Sequence, residues 1–196
     1  MSRRPSAFSA LIAVDKPAGL TSHDVVSHVR RAVGERRVGH AGTLDPAATG
    51  VLVVGIGQAT KLLGLLTLDR KGYRATFRLG AETTTDDAEG EVCATADVSP
   101  ELLEASRAKS AARRVTIHDA RLVSVDAEER TWTVDLDVSK GTYVRSIARD
   151  LGRELGCLAH VSELRRTFSG PVSLDACVSL GELAEGGAEL ARERAL

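Results

Sequence analysis

The apolar run Val51–Ile56 constrains the fold of this chain more than any other feature of its sequence. Six apolar or glycine residues follow one another there without a polar interruption. A strand with one face in water alternates polar and apolar residues, whereas a strand covered on both faces is apolar throughout. The run therefore predicts a central strand with further structure packed on both of its sides.

Shorter signals on either side of this run predict its neighbours. Leu11–Val14 indicates a short buried strand, closed by a turn that contains proline and glycine. Valines at helical spacing then predict a helix that Thr21 or Ser22 caps and that Gly34 ends. After the central strand, a short helix is expected over Ala59–Leu66.

The rest of the chain mixes strand and helix signals. Tyr73–Leu79 alternates like a half-exposed strand, Val115–Val125 and Thr131–Val138 predict a hairpin, and Thr142–Leu155 predicts an amphipathic helix. Because no strict βαβ rhythm appears, we expect an α+β fold with a mixed, mainly antiparallel sheet flanked by helices. The 196 residues, 43% of them hydrophobic, suit a single domain over residues 1–196.

Composition indicates a cytoplasmic protein without a membrane segment. No stretch approaches the roughly 20 apolar residues of a membrane helix, and no apolar run follows Arg3 and Arg4 as in a signal peptide. The three cysteines are far apart and form no Cys-x-x-Cys pair. We therefore expect reduced, structural thiols rather than a disulfide framework or a zinc site.

The net charge of −1 hides an uneven distribution of charge along the chain. Residues 1–40 carry seven basic and three acidic groups, and residues 81–104 carry eight acids without a lysine or arginine. A basic end and an acidic patch would attract a polyanion to one face and keep it off another. The alternative is that these are ordinary solvated surface charges.

Residues 34–50 are rich in glycine and basic groups, and we expect a loop there. Pro46 favours an extended backbone at Asp45, and glycines let another chain segment come close. Such a loop is able to present the Asp45 carboxylate at the mouth of a cleft, flanked by His40. The alternative is an ordinary Asp-Pro turn between a helix and a strand.

Arg145 lies in the first turn of its predicted helix, where the helix dipole disfavours a cation by about 0.3–1 kcal/mol. A nearby carboxylate would remove that conflict. Arg145, Arg149 and Arg153 also form a stripe at helical spacing that suits a phosphate backbone or an ordinary solvated face. The two tyrosines, Tyr73 and Tyr143, suit stacking on unpaired bases or core packing.

Two further motifs match known sites poorly. Gly55–Lys61 lacks the spacing of a phosphate-binding loop, so a nucleotide hydrolase fits worst among the functions considered. Asp86–Glu91 lacks the register of a calcium loop and is better explained as an acidic hairpin turn.

Five blocks of the sequence together resemble the bacterial TruB family of tRNA pseudouridine synthases. They occur in that family's order from about Leu11 to Phe168, and the Gly-His-Ala-Gly-Thr-Leu-Asp-Pro block is the most specific. The blocks are Val14–Ser22, Gly39–Gly50, Lys71–Ala75, Lys140–Arg145, and Ala159–Val161 with Leu164–Arg166.

This resemblance implies a pseudouridine synthase-like catalytic domain that acts without a cofactor or a metal ion. Its substrate would be the uridine at position 55 in the T loop of tRNA, which must be flipped out of the folded loop. By the resemblance, Asp45 is the catalytic aspartate, Tyr73 stacks on the target uracil, and Arg145 pairs with the aspartate. The tRNA T arm is the expected partner, and a monomer is the expected state.

The resemblance also implies residues around this centre. His40, Tyr143 and Leu164 match positions that line the substrate site, with His40 our candidate for filling the gap left by the flipped base. Lys16 and Pro17 match a motif that supports the fold and the active-site loop.

The chain departs from the family in two places. Between Pro100 and Val115 the family carries several tens of further residues, including a strand and a segment that grips tRNA, so we expect a shortened domain. We also expect no full C-terminal RNA-binding domain after Leu183. The alternative function is therefore an RNA-binding or tRNA-folding protein of the same fold without turnover.

Overall fold

Strands and helices follow one another as the sequence pattern indicates, in a computed structural model that describes residues 8–66, 70–95 and 114–196. The strands are β1 (Ala10–Lys16), β2 (Val38–Ala41), β3 (Thr49–Ile56), β4 (Lys71–Leu79), β5 (Ala81–Thr83), β6 (Val92–Thr95), β7 (Ile117–Asp126), β8 (Thr131–Val138), β9 (Ala159–Ser169), β10 (Val172–Ser173) and β11 (Cys177–Val178). The α-helices are α1 (Ser22–Val33), α2 (Leu63–Leu66), α3 (Val144–Glu154) and α4 (Leu180–Glu193), the last kinked at Gly187.

The chain divides into two units, one made of residues 1–72 and 165–196 and the other of residues 73–164. Most strand pairings in both are antiparallel, and the exceptions include the parallel pairs β1–β11 and β3–β9. The predicted α+β class with a mixed, mainly antiparallel sheet is therefore confirmed. No described helix is long and apolar enough to cross a membrane.

In the first unit, β3 is the central strand that the apolar run predicts. It pairs antiparallel with β1 and β2, and its end at Thr49 and Gly50 pairs parallel with β9. Val51, Leu52 and Val54 are fully buried. One face packs Leu52 and Val54 against α1 and α4, whereas Val51 packs on the other face with residues that follow β9.

Local capping sets both ends of α1. The Thr21 side chain accepts a hydrogen bond from the Asp24 amide, and the Asp24 carboxylate accepts one from the Thr21 amide. Such a capping box satisfies amides that a helix start leaves unpaired. Gly34 ends the helix in the left-handed conformation. Both predicted ends of this helix are confirmed.

In the second unit, the predicted hairpin is formed by β7 and β8, with Asp126 opposite Thr131. Val134, Leu136 and Val138 of β8 are buried, whereas every residue of β7 is exposed. The strand β4 alternates buried and exposed residues as predicted. A second hairpin, β5–β6, carries the acidic turn.

The expectation of a loop over residues 34–50 is wrong for Val38–Ala41, which form β2. Gly39 lies opposite Gly55 in the pairing of β2 with β3. A Cβ atom on either glycine would lie 3.1–3.2 Å from the Leu63 side chain. The glycines therefore mark the close approach of a neighbouring segment to a strand, rather than a break in it.

The stretch that we expect to be shortened, between Pro100 and Val115, lies outside the described residues up to position 113. The single-domain expectation stays a prediction.

Replacing Gly50 with alanine should lower the free energy of unfolding by about 2–4 kcal/mol. Gly50 has a φ of +100°, and its Cβ would lie 2.1 Å from the backbone carbonyl oxygen of Arg166. Gly34→Ala is the matched control, since Gly34 also has positive φ but open space around it. It should cost about 1–2 kcal/mol. Urea unfolding measures both, and equal losses would contradict the role of close strand approach.

Candidate active site

The loop Gly42–Ala48 connects β2 to β3 in the first unit and carries the half-buried Asp45. The Ala48 amide donates a hydrogen bond to the Asp45 carbonyl at 3.1 Å, which closes a turn around Pro46. The Asp-Pro turn that we gave as the alternative is present, although it lies between two strands rather than between a helix and a strand. Its conformation depends on three side chains from distant parts of the chain.

Lys16, the last residue of β1, holds the second half of this loop. Its side chain is fully buried, and its ammonium group donates to the carbonyls of Pro46 at 3.0 Å, Ala48 at 2.6 Å and Pro17 at 2.9 Å. A buried charge is costly unless hydrogen bonds replace its lost hydration. The carbonyl oxygens of the loop supply that replacement, so loop and lysine stabilise each other.

Arg166, in β9, holds the first half in the same way. Its guanidinium is fully buried and donates to the carbonyls of Val51 at 2.6 Å, Gly42 at 3.0 Å and Thr43 at 3.4 Å. A planar guanidinium with five N–H groups is able to bind several fixed acceptors at once. It therefore ties the start of the loop to β3, where the loop ends.

Ser22 fixes the residue before Asp45. Its buried hydroxyl accepts a hydrogen bond from the Leu44 amide at 2.8 Å and lies 3.1 Å from the Leu44 carbonyl, to which it donates. The backbone on both sides of Asp45 is thus hydrogen-bonded to buried side chains. Sequence reasoning considered Ser22 only as a possible helix cap and assigned no role to Arg166, although both lie within blocks of the family resemblance.

His40 lies in β2 opposite Val54 and is half-buried. Burial lowers the pKa of its imidazole below the usual value, and the charges of Arg166 and His23 lower it further. Its Nδ1 atom is buried and has no hydrogen-bond partner among the described residues. The ring is therefore neutral at pH 7, which suits contact with an uncharged base.

The remaining predicted site residues belong to the second unit, apart from Pro17 in the first. Tyr73 in β4 is buried, in agreement with the core-packing alternative, whereas Tyr143 before α3 is 54% exposed. Leu164 in β9 is half-buried, and Pro17 is exposed.

Arg145 is the second residue of α3 and therefore lies where the helix dipole disfavours a cation. Its guanidinium donates at 3.1 Å to the Asp87 carboxylate and at 3.1 Å to the Thr85 carbonyl. Asp87 is in turn held by the Thr85 hydroxyl and the Glu89 amide. Within its own unit, Asp87 supplies the carboxylate that this position of Arg145 requires, and sequence reasoning missed it.

The two arginines that follow on α3 pair with acids of the β5–β6 hairpin. Arg149 lies 2.7 Å from the Asp86 carboxylate, and Arg153 binds both oxygens of Glu82, with both side chains of that pair less than 7% exposed. Burial raises the pKa of the Asp86 carboxyl, although Arg149 acts in the opposite direction. Neither a phosphate-binding stripe nor a solvated face is present at these two arginines, so both alternatives were wrong there.

Removing the Arg166 guanidinium should destabilise the protein strongly. Arg166→Met leaves three carbonyls without their donor, that of Val51 buried, and we expect a loss of about 3–5 kcal/mol in urea unfolding. Arg166→Lys keeps the charge but not the planar group, and we expect about 1–3 kcal/mol. Hydrogen exchange at residues 42–48 should speed up in both variants.

Arg165→Met is the matched control. Arg165 is adjacent in sequence, but its pair with Asp15 is 38–40% exposed at both side chains. Such a pair contributes less than about 1 kcal/mol. A loss equal to that of Arg166→Met would contradict the role given to the buried guanidinium.

Two protein-family models match parts of this chain, one of them over the residues around Asp45. A model described as TruB family pseudouridylate synthase (N terminal domain) matches residues 30–110, and one described as tRNA pseudouridylate synthase B C-terminal domain matches residues 145–195. A protein of Thermobifida fusca named tRNA pseudouridine synthase B is 45% identical over 217 residues, covering 89% of this chain and 74% of the relative. A protein of the same name in Nocardia farcinica is 45% identical over 223 residues, covering 93% of this chain and 72% of the relative. Both alignments exceed 196 residues, so the relatives carry residues without a counterpart here.

Two solved structures show the same fold. The crystal structure of the archaeal box H/ACA sRNP Nop10-Cbf5 complex contains a chain with a TM-score of 0.73 and 30% identity, which covers 94% of this chain and 58% of that one. A chain of a Cbf5-Nop10-Gar1 complex has a TM-score of 0.70 and 29% sequence identity. That match covers 90% of this chain and 54% of that one. This chain thus spans just over half the length of those chains. The family models and the bacterial relatives, together with the sequence blocks around Asp45, show that the chain belongs to the TruB family of pseudouridylate synthases.

Proposed function

We propose that this chain converts a uridine of tRNA into pseudouridine, with the T-loop uridine at position 55 as its target. The observation that carries the proposal is the loop around Asp45, whose backbone is fixed by Lys16, Ser22 and Arg166. A catalytic group must be held close to its productive position, and hydrogen bonds from buried residues provide that. Relatives named tRNA pseudouridine synthase B support the same reaction.

The reaction exchanges one glycosidic bond for another. The bond from N1 of uracil to C1′ of the ribose breaks, the base turns, and C5 bonds to C1′. The C5 proton leaves to solvent, and N1 takes up a proton, so no cofactor or oxidant is required. Asp45 either attacks a carbon of the sugar or stabilises an oxocarbenium-like centre there, as carboxylates do in glycosidases.

The target base must leave its stacked position before Asp45 can act, at a cost of a few kcal/mol. In the proposal, His40 fills or props the gap that the base leaves, which suits its neutral, half-buried ring. The exposed Tyr143 ring and Leu164 line the substrate site. Tyr73 stacks on the uracil and helps to remove the C5 proton.

Arg145 keeps in this proposal the role that the family resemblance implies, which is to orient the Asp45 carboxylate. Its bond to Asp87 is compatible with that role, because a guanidinium with several N–H groups is able to serve two carboxylates. The T arm of tRNA is the proposed partner, and we propose a cytoplasmic monomer that needs no metal ion. The additional aligned residues of the relatives support a shortened domain.

Replacing Asp45 with asparagine should abolish turnover. The carboxamide has nearly the same shape but cannot act as the nucleophile or stabilise a positive sugar, so the rate should fall at least about 10³-fold. Incubation with a T-arm hairpin tritiated at uracil C5 measures this as tritium released to water.

Asp175→Asn is the control for that experiment, since Asp175 is an exposed aspartate of the same unit. It should release tritium like the unmodified protein. Tight binding of the hairpin by the unmodified protein without any release would contradict the proposed reaction and favour an RNA-folding role.

Tyr73→Phe should bind the T-arm hairpin almost normally yet turn over at least about 10²-fold more slowly. The phenyl ring preserves stacking, whereas the hydroxyl that assists proton removal is lost. Single-turnover rates and hairpin affinity measured on the same variant separate the two effects. An unchanged rate would remove the Tyr73 hydroxyl from the chemistry.

A further inference from the structure

A group of cations lies on the surface of the first unit, where α1 ends and β2 begins. We call Arg31, Arg36, Arg37 and Lys61 the arginine surface. All four side chains are exposed. Arg37 donates to the Thr60 hydroxyl at 2.9 Å and to the Gln58 side-chain oxygen at 3.3 Å, which connects the end of α1 to the segment after β3.

The positive charge of this surface is not neutralised. Among the described residues, no carboxylate forms an ion pair with Arg31, Arg36 or Arg37, and the side chain of Arg37 binds only neutral acceptors. The second unit behaves differently. Six of its arginines lie within 3.1 Å of a carboxylate: Arg74, Arg78, Arg121, Arg145, Arg149 and Arg153.

The acids of the second unit explain these six arginines as parts of its fold. Cations in the last turn of a helix are favourable by about 0.3–1 kcal/mol, and this explains Arg31. It does not explain Arg36, Arg37 or Lys61, which lie beyond α1. Cations grouped without counter-charges suit a polyanionic partner better than they suit folding.

Part of this surface borders a shallow, open recess. A cavity of about 330 Å³ is lined by Arg30, Arg31, Gly34, Glu35 and Arg36. Glu35 is drawn toward the backbone, because its carboxylate accepts a hydrogen bond from the Arg37 amide at 3.0 Å. Arg31 and Arg36 thus line a recess with enough volume for a phosphate group.

The arginine surface lies close to the Asp45 loop along the chain. Arg37 is followed directly by β2, whose four residues end where the loop begins. A strand rises about 3.3 Å per residue, so the two ends of β2, three steps apart, are separated by about 10 Å. A nucleic-acid strand carries a phosphate about every 3.4 Å, so an RNA bound at the Asp45 loop presents several phosphates over a length like that of β2.

From this geometry we infer that the arginine surface binds phosphates of the substrate RNA backbone. The inference rests on the proposed function for the identity of the RNA. Phosphate contacts fix the position of a nucleic acid without reading its sequence. This surface accordingly contributes affinity for RNA. Such a contribution matters in a chain that lacks residues present in its relatives.

The test replaces the two arginines that have no described partner, in Arg31→Gln/Arg36→Gln. Affinity for an unmodified tRNA transcript is measured by anisotropy over a range of KCl concentrations. Each lost phosphate contact lowers the slope of log affinity against log salt by about 0.7–0.9, so the double variant should lose about 1.4–1.8. A short RNA hairpin of unrelated sequence should show the same drop.

Arg78→Gln/Arg121→Gln is the matched control, because those arginines are exposed but paired with Glu129 and Asp135. Its slope should equal that of the unmodified protein. An unchanged slope in Arg31→Gln/Arg36→Gln, or a drop with tRNA alone, would overturn the inference. Tritium release by the unmodified protein, measured in parallel, tests the proposed function separately.

Discussion

The structure of the first unit depends on the hydrogen bonds that two buried cations make to the backbone of one loop. Lys16 and Arg166 place their charges beneath residues 42–48 and bind carbonyls before and after Asp45. A buried cation without such acceptors would be costly, and a loop without such donors would leave its carbonyls unsatisfied. Each therefore requires the other, and the carboxylate position follows from both.

This constraint explains features that are otherwise unrelated. The two cations are 150 positions apart in the chain and meet only because β1 and β9 lie beside β3. Gly50 must lack a side chain because Arg166 passes directly against it. The second unit compensates the charge of its partly buried arginines differently. There, acids of the β5–β6 hairpin pair with Arg145, Arg149 and Arg153.

Local features of the fold were predictable from the sequence. The capped helix α1, the buried strand β3 and the β7–β8 hairpin follow from residues close together in the chain. Long-range contacts were not predictable, because β2 gains its strand conformation only by pairing with β3. Arg153 likewise pairs with Glu82, which lies 71 positions earlier in the chain. Glu82 and Asp86 are four residues apart, as are Arg149 and Arg153. This shared spacing was the sequence signal for the two ion pairs between them. The family resemblance singled out Asp45 and Lys16, whereas the supporting roles of Ser22 and Arg166 required the structure.

The most direct test of this account maps pseudouridine in a full tRNA transcript after incubation with the protein. Pseudouridines are labelled with carbodiimide and located by reverse transcription. The account predicts one new stop, at the T-loop uridine, which is absent after incubation with the Asp45→Asn variant. A transcript that remains unlabelled although the folded protein binds it, or one labelled equally by the variant, would contradict the account.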